Sequence, residues 1–184
     1  MEKKQQEADM KNKAGNLLSW VASSAVLIGI DQYTKALAVA RLKNQQPFVI
    51  LDGVFEFLYS ENRGAAFGLM QGRQGFFFLI GIVVLAVAGY AMLRMPGWQE
   101  KRYHWLKLCV IMITAGAVGN MIDRVSQGYV VDFLYFKLIN FPIFNVADIY
   151  VTTAAIALII LVIFYYKDED FEFLGGKKAK KTKA

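Results

Sequence analysis

Residues 144–166 read FNVADIYVTTAAIALIILVIFYY, and this stretch decides the fold. From Ile149 to Tyr166 it carries no charge, a length that suits one crossing of a bilayer as an α-helix. Asp148 stands at the mouth of that run, with Asn145 three positions before it. A carboxylate near hydrocarbon costs roughly 2.5–3.5 kcal/mol on insertion scales, so a chain that keeps one there has a use for it.

Working outward, three more apolar runs follow the same rule: Leu17–Ala40, Phe76–Met95 and Trp105–Ile122. Pro47, Pro96 and Pro142 all fall between runs, where helix breakers belong. With 56% hydrophobic residues in 184 and a mean hydropathy of +0.35, the chain is too apolar for an ordinary soluble domain. The expected fold is an all-α polytopic membrane protein with four transmembrane helices, spans 17–40, 76–95, 105–122 and 149–166, in one domain over 17–166. Residues 1–16 read as a basic tail. Residues 167–184 read as a charged, solvated and disordered tail. The first run also looks like a signal peptide, with small residues at Ala22-Ser23-Ser24-Ala25. A cut there would leave a truncated helix, so an uncleaved span is expected.

Fourteen of the 21 Lys and Arg residues lie in three segments: the N-terminal tail, the stretch from Arg94 to Lys107, and the C-terminal tail. Four spans place those segments on one side, and the positive-inside rule makes that side cytoplasmic. The net charge of +6 is thus a topology signal, with attraction to anionic lipid as a corollary, and no nucleic-acid role follows from it. Two segments then face outward, roughly Arg41–Gly75 and Asp123–Asp148. In the first, Phe48–Leu51 and Val54–Tyr59 flank Asp52-Gly53, the signature of a hairpin, so a small β-sheet on the bilayer surface is expected there. The small residues of Asn62-Arg63-Gly64-Ala65-Ala66-Phe67-Gly68 suit close approach by a bound chain.

Several chemistries are excluded. The single histidine, His104, belongs to the inner side, so no Ser-His or Cys-His pair has a base on the outer face. Cys109 is alone inside the third span and reads as a packing residue, and no His/Cys cluster or HExxH motif offers zinc. No metal or cofactor is expected. What remains outside is carboxylate, amide and a few cations, led by Asp132 and Asp148. Two aspartates that face each other share a proton; one activates water while the other hydrogen-bonds the substrate carbonyl. The 15 residues between Asp132 and Asp148 can return the chain to the same depth. Spacing alone leaves Asp148 open as a helix cap and Asp132 as a loop residue.

The neighbours read as support. Asn120, Asp123 and Arg124 can share a helix face, or Asp123 and Arg124 can be a simple adjacent pair. Asn145 can cap the last helix or donate to a substrate backbone. Asp31 and Lys35 are placed for an i,i+4 pair. Phe76, Phe77, Phe78, Trp20, Trp98 and Trp105 read as lipid-facing or interfacial anchors.

At these residues the chain resembles lipoprotein signal peptidase (signal peptidase II), the bacterial inner-membrane aspartyl protease. Five ordered blocks carry the resemblance across Leu17–Tyr166: Asp31-Gln32-Tyr33-Thr34-Lys35, Asn62-Arg63-Gly64-Ala65-Ala66-Phe67, Gly116-Ala117-Val118-Gly119-Asn120-Met121-Ile122-Asp123-Arg124, Val131-Asp132-Phe133 and Phe144-Asn145-Val146-Ala147-Asp148. The resemblance implies that Asp132 and Asp148 are the catalytic dyad. It further implies that Asp31, Lys35, Asn62, Gly64, Asn120, Asp123, Arg124, Asn145 and Ala147 shape or support the site. The implied substrate is a prolipoprotein whose cysteine carries diacylglycerol, cut just before that cysteine; the implied inhibitor is the cyclic peptide globomycin. A monomer is expected, since nothing in the chain calls for a partner subunit. A transporter or proton channel is the main rival, but it predicts polar residues spread through the membrane depth, and here they gather at one end. A structural subunit is the second rival, and it gives the Gly-Ala-Ala-Phe loop no reason to accompany the carboxylates.

Overall fold

The structure, a computed structural model, describes residues 2–64 and 74–175. Helix α1 (Glu2–Leu42) leads through a hairpin of β1 (Phe48–Leu51) and β2 (Phe55–Asn62) to α2 (Gln74–Arg94). Then come α3 (His104–Gln127), β3 (Val130–Phe136) and α4 (Val146–Phe164). Four helices among the described residues are long and apolar enough to cross a membrane, with a small antiparallel sheet between them.

The first helix is longer than expected. Its 41 residues extend about 60 Å at 1.5 Å per residue, twice the ~30 Å hydrocarbon core. The expected basic tail is therefore helical, built of good helix formers such as Glu, Lys, Gln and Ala. Asn16 ties it to the bundle. Its side-chain amide is fully buried and donates to the carbonyls of Met92, Met95 and Pro96 at 3.2, 2.9 and 3.2 Å. Those carbonyls end α2, where Pro96 stops the helix and leaves acceptors without intrahelical partners.

The expected hairpin is present, and Gly53 takes a left-handed conformation (φ 69°) in its turn. The sheet has a third strand that sequence reading did not supply: β3 pairs antiparallel with β2, so the order is β1-β2-β3. Strand β3 starts two residues beyond Gly128, whose left-handed backbone (φ 79°) ends α3. Register matters here. Phe57 pairs with Leu134 and Ser60 with Asp132, so β2 carries one extra residue between them. This bulge sets Asn62 opposite Val130, on the same face as Asp132 two residues along; without it Asn62 would point to the other face.

Helix α3 is the hub, packed against α1, α2 and α4. Small residues allow the approach. A Cβ at Gly116 would lie 2.5 Å from the Ala147 carbonyl oxygen, and one at Gly119 would lie 2.5 Å from Asp31 Oδ2. A core of Met92, Met95, Leu106 and Tyr166 is buried where α2 ends and α3 begins, with Trp20, Tyr103, Phe171 and Phe173 against it.

That cluster revises two expectations. Trp20 is no lipid anchor: it packs inside the bundle and its indole donates to Thr114 Oγ1 at 2.9 Å. Nor is the start of the C-terminal tail disordered, since Asp168–Leu174 forms a 3-10 helix. Arg102 holds it through both Asp170 oxygens, and Arg94 through the Phe173 carbonyl at 2.9 Å. The two phenylalanines of that segment supply the apolar surface that a solvated tail lacks. The lysine-rich stretch 177–183 lies outside the described residues, as do Ala65–Gly68 of the expected flexible loop. Phe76, Phe78, Trp98 and Trp105 are exposed as anchors should be. Cys109 is buried and free.

Two glycines separate packing from propensity. Gly116→Val should lower the thermal unfolding midpoint in detergent, because overpacking costs about 1–3 kcal/mol. Gly29→Ala meets nothing within 4 Å and should leave the midpoint unchanged or raise it, as Ala exceeds Gly by up to ~1 kcal/mol in a helix.

Candidate active site

Four polar residues on α1 and α3 make the foundation. Lys35, 3% exposed, sits 2.9 Å from Asp31 Oδ2 and 3.1 Å from Asp123 Oδ2, and donates to Asn120 Oδ1 at 2.9 Å. The expected Asp31–Lys35 pair is thus present as part of a larger cluster. Asp123 does not pair with Arg124; it turns to Lys35 and accepts from the Val131 N–H at 3.0 Å, which ties α3 to the start of β3. Asp31 Oδ1 accepts from the Ala147 N–H at 2.9 Å and so holds the first turn of α4. Gln32, which the sequence reading passed over, donates to Asp31, Asp123 and the Gly119 carbonyl at 3.2, 3.0 and 3.1 Å. A polar side chain beside Asp31 in an apolar run was the available signal.

Above this foundation stand the two aspartates of interest. Asp132 lies on β3, not in a loop, and is 2% exposed. Its oxygens accept from Asn62 Nδ2 at 2.9 Å and Asn145 Nδ2 at 2.6 Å. Asp148 is the third residue of α4 and forms a capping box with Asn145: Asn145 Oδ1 accepts from the Asp148 N–H at 3.0 Å, and Asp148 Oδ2 accepts from the Asn145 N–H at 3.1 Å. Asn120 Nδ2 donates to Asp148 Oδ1 at 2.8 Å, and Asn145 Nδ2 also reaches Asn120 Oδ1 at 3.1 Å. The cap and the site are the same structure. Asn145 and Asn120 join the carboxylates into one hydrogen-bonded network.

Burial, and next the charge of Asp148, push Asp132 from 3.8 up to about 7. The donors from Asn62 and Asn145 and the Lys35 ammonium pull the other way and do not prevail.

A cavity of about 480 Å³ opens beside the network, with Asn62, Gly64, Arg124 and Asp148 on its polar side and Phe141, Phe144 and Ile149 among its apolar walls. Arg124 donates to the Gly64 carbonyl at 3.2 Å and to the Asn120 carbonyl at 3.4 Å, while its buried Nε has no hydrogen-bond partner. Its guanidinium lies 4.4 Å from the Phe77 ring centroid, so Phe77 supports the site rather than anchoring in lipid. All eleven residues singled out from the sequence are thus linked through this network or line this cavity. Among the described residues no group of three or more His, Cys, Asp or Glu side chains is placed to hold a metal ion.

The profile of the family described as Signal peptidase (SPase) II matches residues 23–164. The chain belongs to the signal peptidase II family. A lipoprotein signal peptidase of Streptococcus thermophilus is 38% identical over 144 residues, 78% of this chain and 90% of that protein. One from Caldanaerobacter subterraneus subsp. tengcongensis is 43% identical over 141 residues, 76% and 92% of the two chains. A bacterial membrane enzyme structure solved by the in meso method at 2.3 Å resolution superposes with a TM-score of 0.68, 29% identity, and coverage of 82% of this chain and 92% of that one. The signal peptidase II match ends at Phe164, just before the C-terminal segment that Arg94 and Arg102 fasten.

Lys35→Met should strand Asp31 and Asp123 as buried unpaired charges and cost about 3–5 kcal/mol, read as a large fall in the unfolding midpoint. Lys43→Met breaks the half-exposed contacts with Glu61 and the Tyr59 ring and should lower that midpoint far less.

Proposed function

We infer that the protein is an intramembrane aspartic endopeptidase that removes the signal peptide from diacylglyceryl-modified prolipoproteins. One observation carries the reading: Asp132 and Asp148 belong to a single buried network at the edge of a cavity, and burial there pushes Asp132 up to about 7. Membership of the signal peptidase II family supports the same chemistry and substrate class.

Asp148 is the base. It lies in the first turn of α4, where the helix dipole favours negative charge, and it accepts from a backbone N–H. Asp132 accepts from the side-chain amides of Asn62 and Asn145 and is the carboxyl that holds the proton. Asp148 takes a proton from water as its oxygen bonds to the scissile carbonyl carbon, and Asp132 gives its proton to the carbonyl oxygen. In the tetrahedral adduct the C–N bond then breaks. Asp148 returns its proton to the departing nitrogen, and Asp132 regains one from the hydroxyl as the carbonyl re-forms. One water is consumed and both aspartates return to their starting states. Asn62, Gly64 and Arg124 line the cavity where the extended peptide lies, and Asp31, Lys35, Asn120, Asp123, Asn145 and Ala147 hold the two carboxyls in place. A diacylglyceryl anchor keeps the bond at the membrane boundary and supplies approximation in two dimensions.

On this reading the protein resides in the bacterial inner membrane. Its basic segments lie in the cytoplasm and the aspartates near the opposite face. One chain supplies a complete site, so a monomer suffices, and globomycin occupies the cavity as a peptide backbone that is not cut.

Asp132→Asn and Asp148→Asn should each insert and fold, yet lose cleavage of a diacylglyceryl prolipoprotein in detergent; full activity in either variant would refute the dyad. Unlipidated substrate should be cut poorly by the unaltered enzyme. The pH profile gives a second check. Because Asp132 must be protonated, kcat/KM should fall as pH rises through about 7. Asn62→Ala removes a donor that favours the ionised form, so this alkaline limb should move to higher pH.

A further inference from the structure

At the end of the bundle remote from the aspartates, a groove of about 770 Å³ runs between α1 and α3. Its body is apolar, walled by Val26, Leu27, Leu108 and Ile111, and its mouth carries Lys101, His104 and Trp98. No acid lines it. From Lys101 to Ile111 the wall is about 15 Å long at ~1.5 Å per residue, half the ~30 Å hydrocarbon core, so the groove spans one leaflet.

The mouth is rigid and positive. The Trp98 indole donates to Ser19 Oγ at 2.7 Å, and its carbonyl meets His104 Nε2 at 2.8 Å. Behind the ring, Lys107 is fully buried, with its ammonium 4.6 Å from the ring centroid and no hydrogen-bond partner. Arg94 and Arg102, the other cations of this stretch, are occupied by the C-terminal segment. Lys101 forms no ion pair among the described residues and is free to face the groove.

We propose that this groove binds an anionic glycerophospholipid of the leaflet opposite the aspartates, with its phosphate at Lys101 and His104 and one acyl chain along α1 and α3. A buried ammonium without a hydrogen-bond partner is costly, and an anion at the mouth offsets that cost. The apolar body selects a chain-bearing anion over free phosphate. The unmatched positive charge selects an anionic over a zwitterionic headgroup. Trp98, amphipathic and fixed at the boundary, marks the headgroup level.

The test uses the full chain in nanodiscs of phosphatidylcholine, with tryptophan fluorescence quenched by lipids brominated in the acyl chain. Trp98 and Trp105 both line the groove. Brominated phosphatidylglycerol should quench at a mole fraction about fivefold lower than brominated phosphatidylcholine, the factor for one basic side chain near a lipid surface. Lys101→Gln with His104→Gln, both on the accessible rim, should abolish that preference while the circular-dichroism spectrum stays unchanged. Ser23→Phe, which fills the groove from α1, should reduce quenching by phosphatidylglycerol to the level of phosphatidylcholine. Equal quenching of the unaltered protein by the two lipids would show ordinary annular lipid and overturn the proposal. So would a preference that survives the rim substitutions.

Discussion

The site hangs on one ammonium group. Lys35 is buried among Asp31, Asp123 and Asn120, and each partner passes the constraint to a different element. Asp31 reaches α4 through the Ala147 N–H, and Asp123 reaches β3 through the Val131 N–H. Asn120 presents its carbonyl oxygen to Lys35, so its amide nitrogen must face the other way, where it donates to Asp148. Asn145 then uses the same Asn120 oxygen and turns its own amide toward Asp132. A side chain that contacts neither proposed catalytic carboxyl thereby orients the donors to both. The close contacts around Gly116 and Gly119 serve this arrangement, since a methyl group at Gly119 would meet Asp31 first.

Charge favours a proton in the network. Asp31, Asp123, Asp132 and Asp148 are linked through one set of hydrogen bonds, and Lys35 and Arg124 are the cations beside them. Four carboxyls against two cations leave excess negative charge in a buried space, and protonating one carboxyl is the least costly relief. Burial and the neighbouring Asp148 charge push Asp132 up to about 7. Lys35 is engaged by Asp31 and Asp123, whereas Asp132 has only neutral amides at hydrogen-bond distance.

Much of this was legible in the sequence because bilayers impose simple rules. Span number followed from apolar run length, and the hairpin from Asp52-Gly53 between β-prone segments. The polar residues stood out because hydrocarbon makes each of them costly. The missed strand β3 carried its own signal: Val130-Val131-Asp132-Phe133-Leu134-Tyr135-Phe136 is rich in β-branched and aromatic residues, but it lies in the outward segment, where Asp132 stood open as a loop residue. Its pairing with β2, and the bulge that turns Asn62 toward Asp132, are long-range register facts that no local pattern encodes. Trp20 and Phe77 looked like lipid anchors because composition cannot say which face of a helix meets a neighbour. The C-terminal segment looked solvated because Asp168, Glu169 and Asp170 hid the part that Phe171 and Phe173 play in the core.

The position of the site at a bundle end is itself a consequence of backbone chemistry. Inside a transmembrane helix nearly every N–H is committed to the carbonyl four residues earlier, and hydrocarbon allows no exposed irregular chain to supply others. Carboxyls in mid-span would have only side chains to meet them. Here the uncommitted N–H groups come from places where regular structure starts: Asn145 and Ala147 at the head of α4, and Val131 at the head of β3. Each donates to a different carboxyl, and each exists only where the chain leaves or enters a span. A cluster of four aspartates can therefore be held at the membrane boundary but not deeper. The short β-sheet, which would be an exposed apolar edge in a soluble protein, is the element that brings Asp132 to that level.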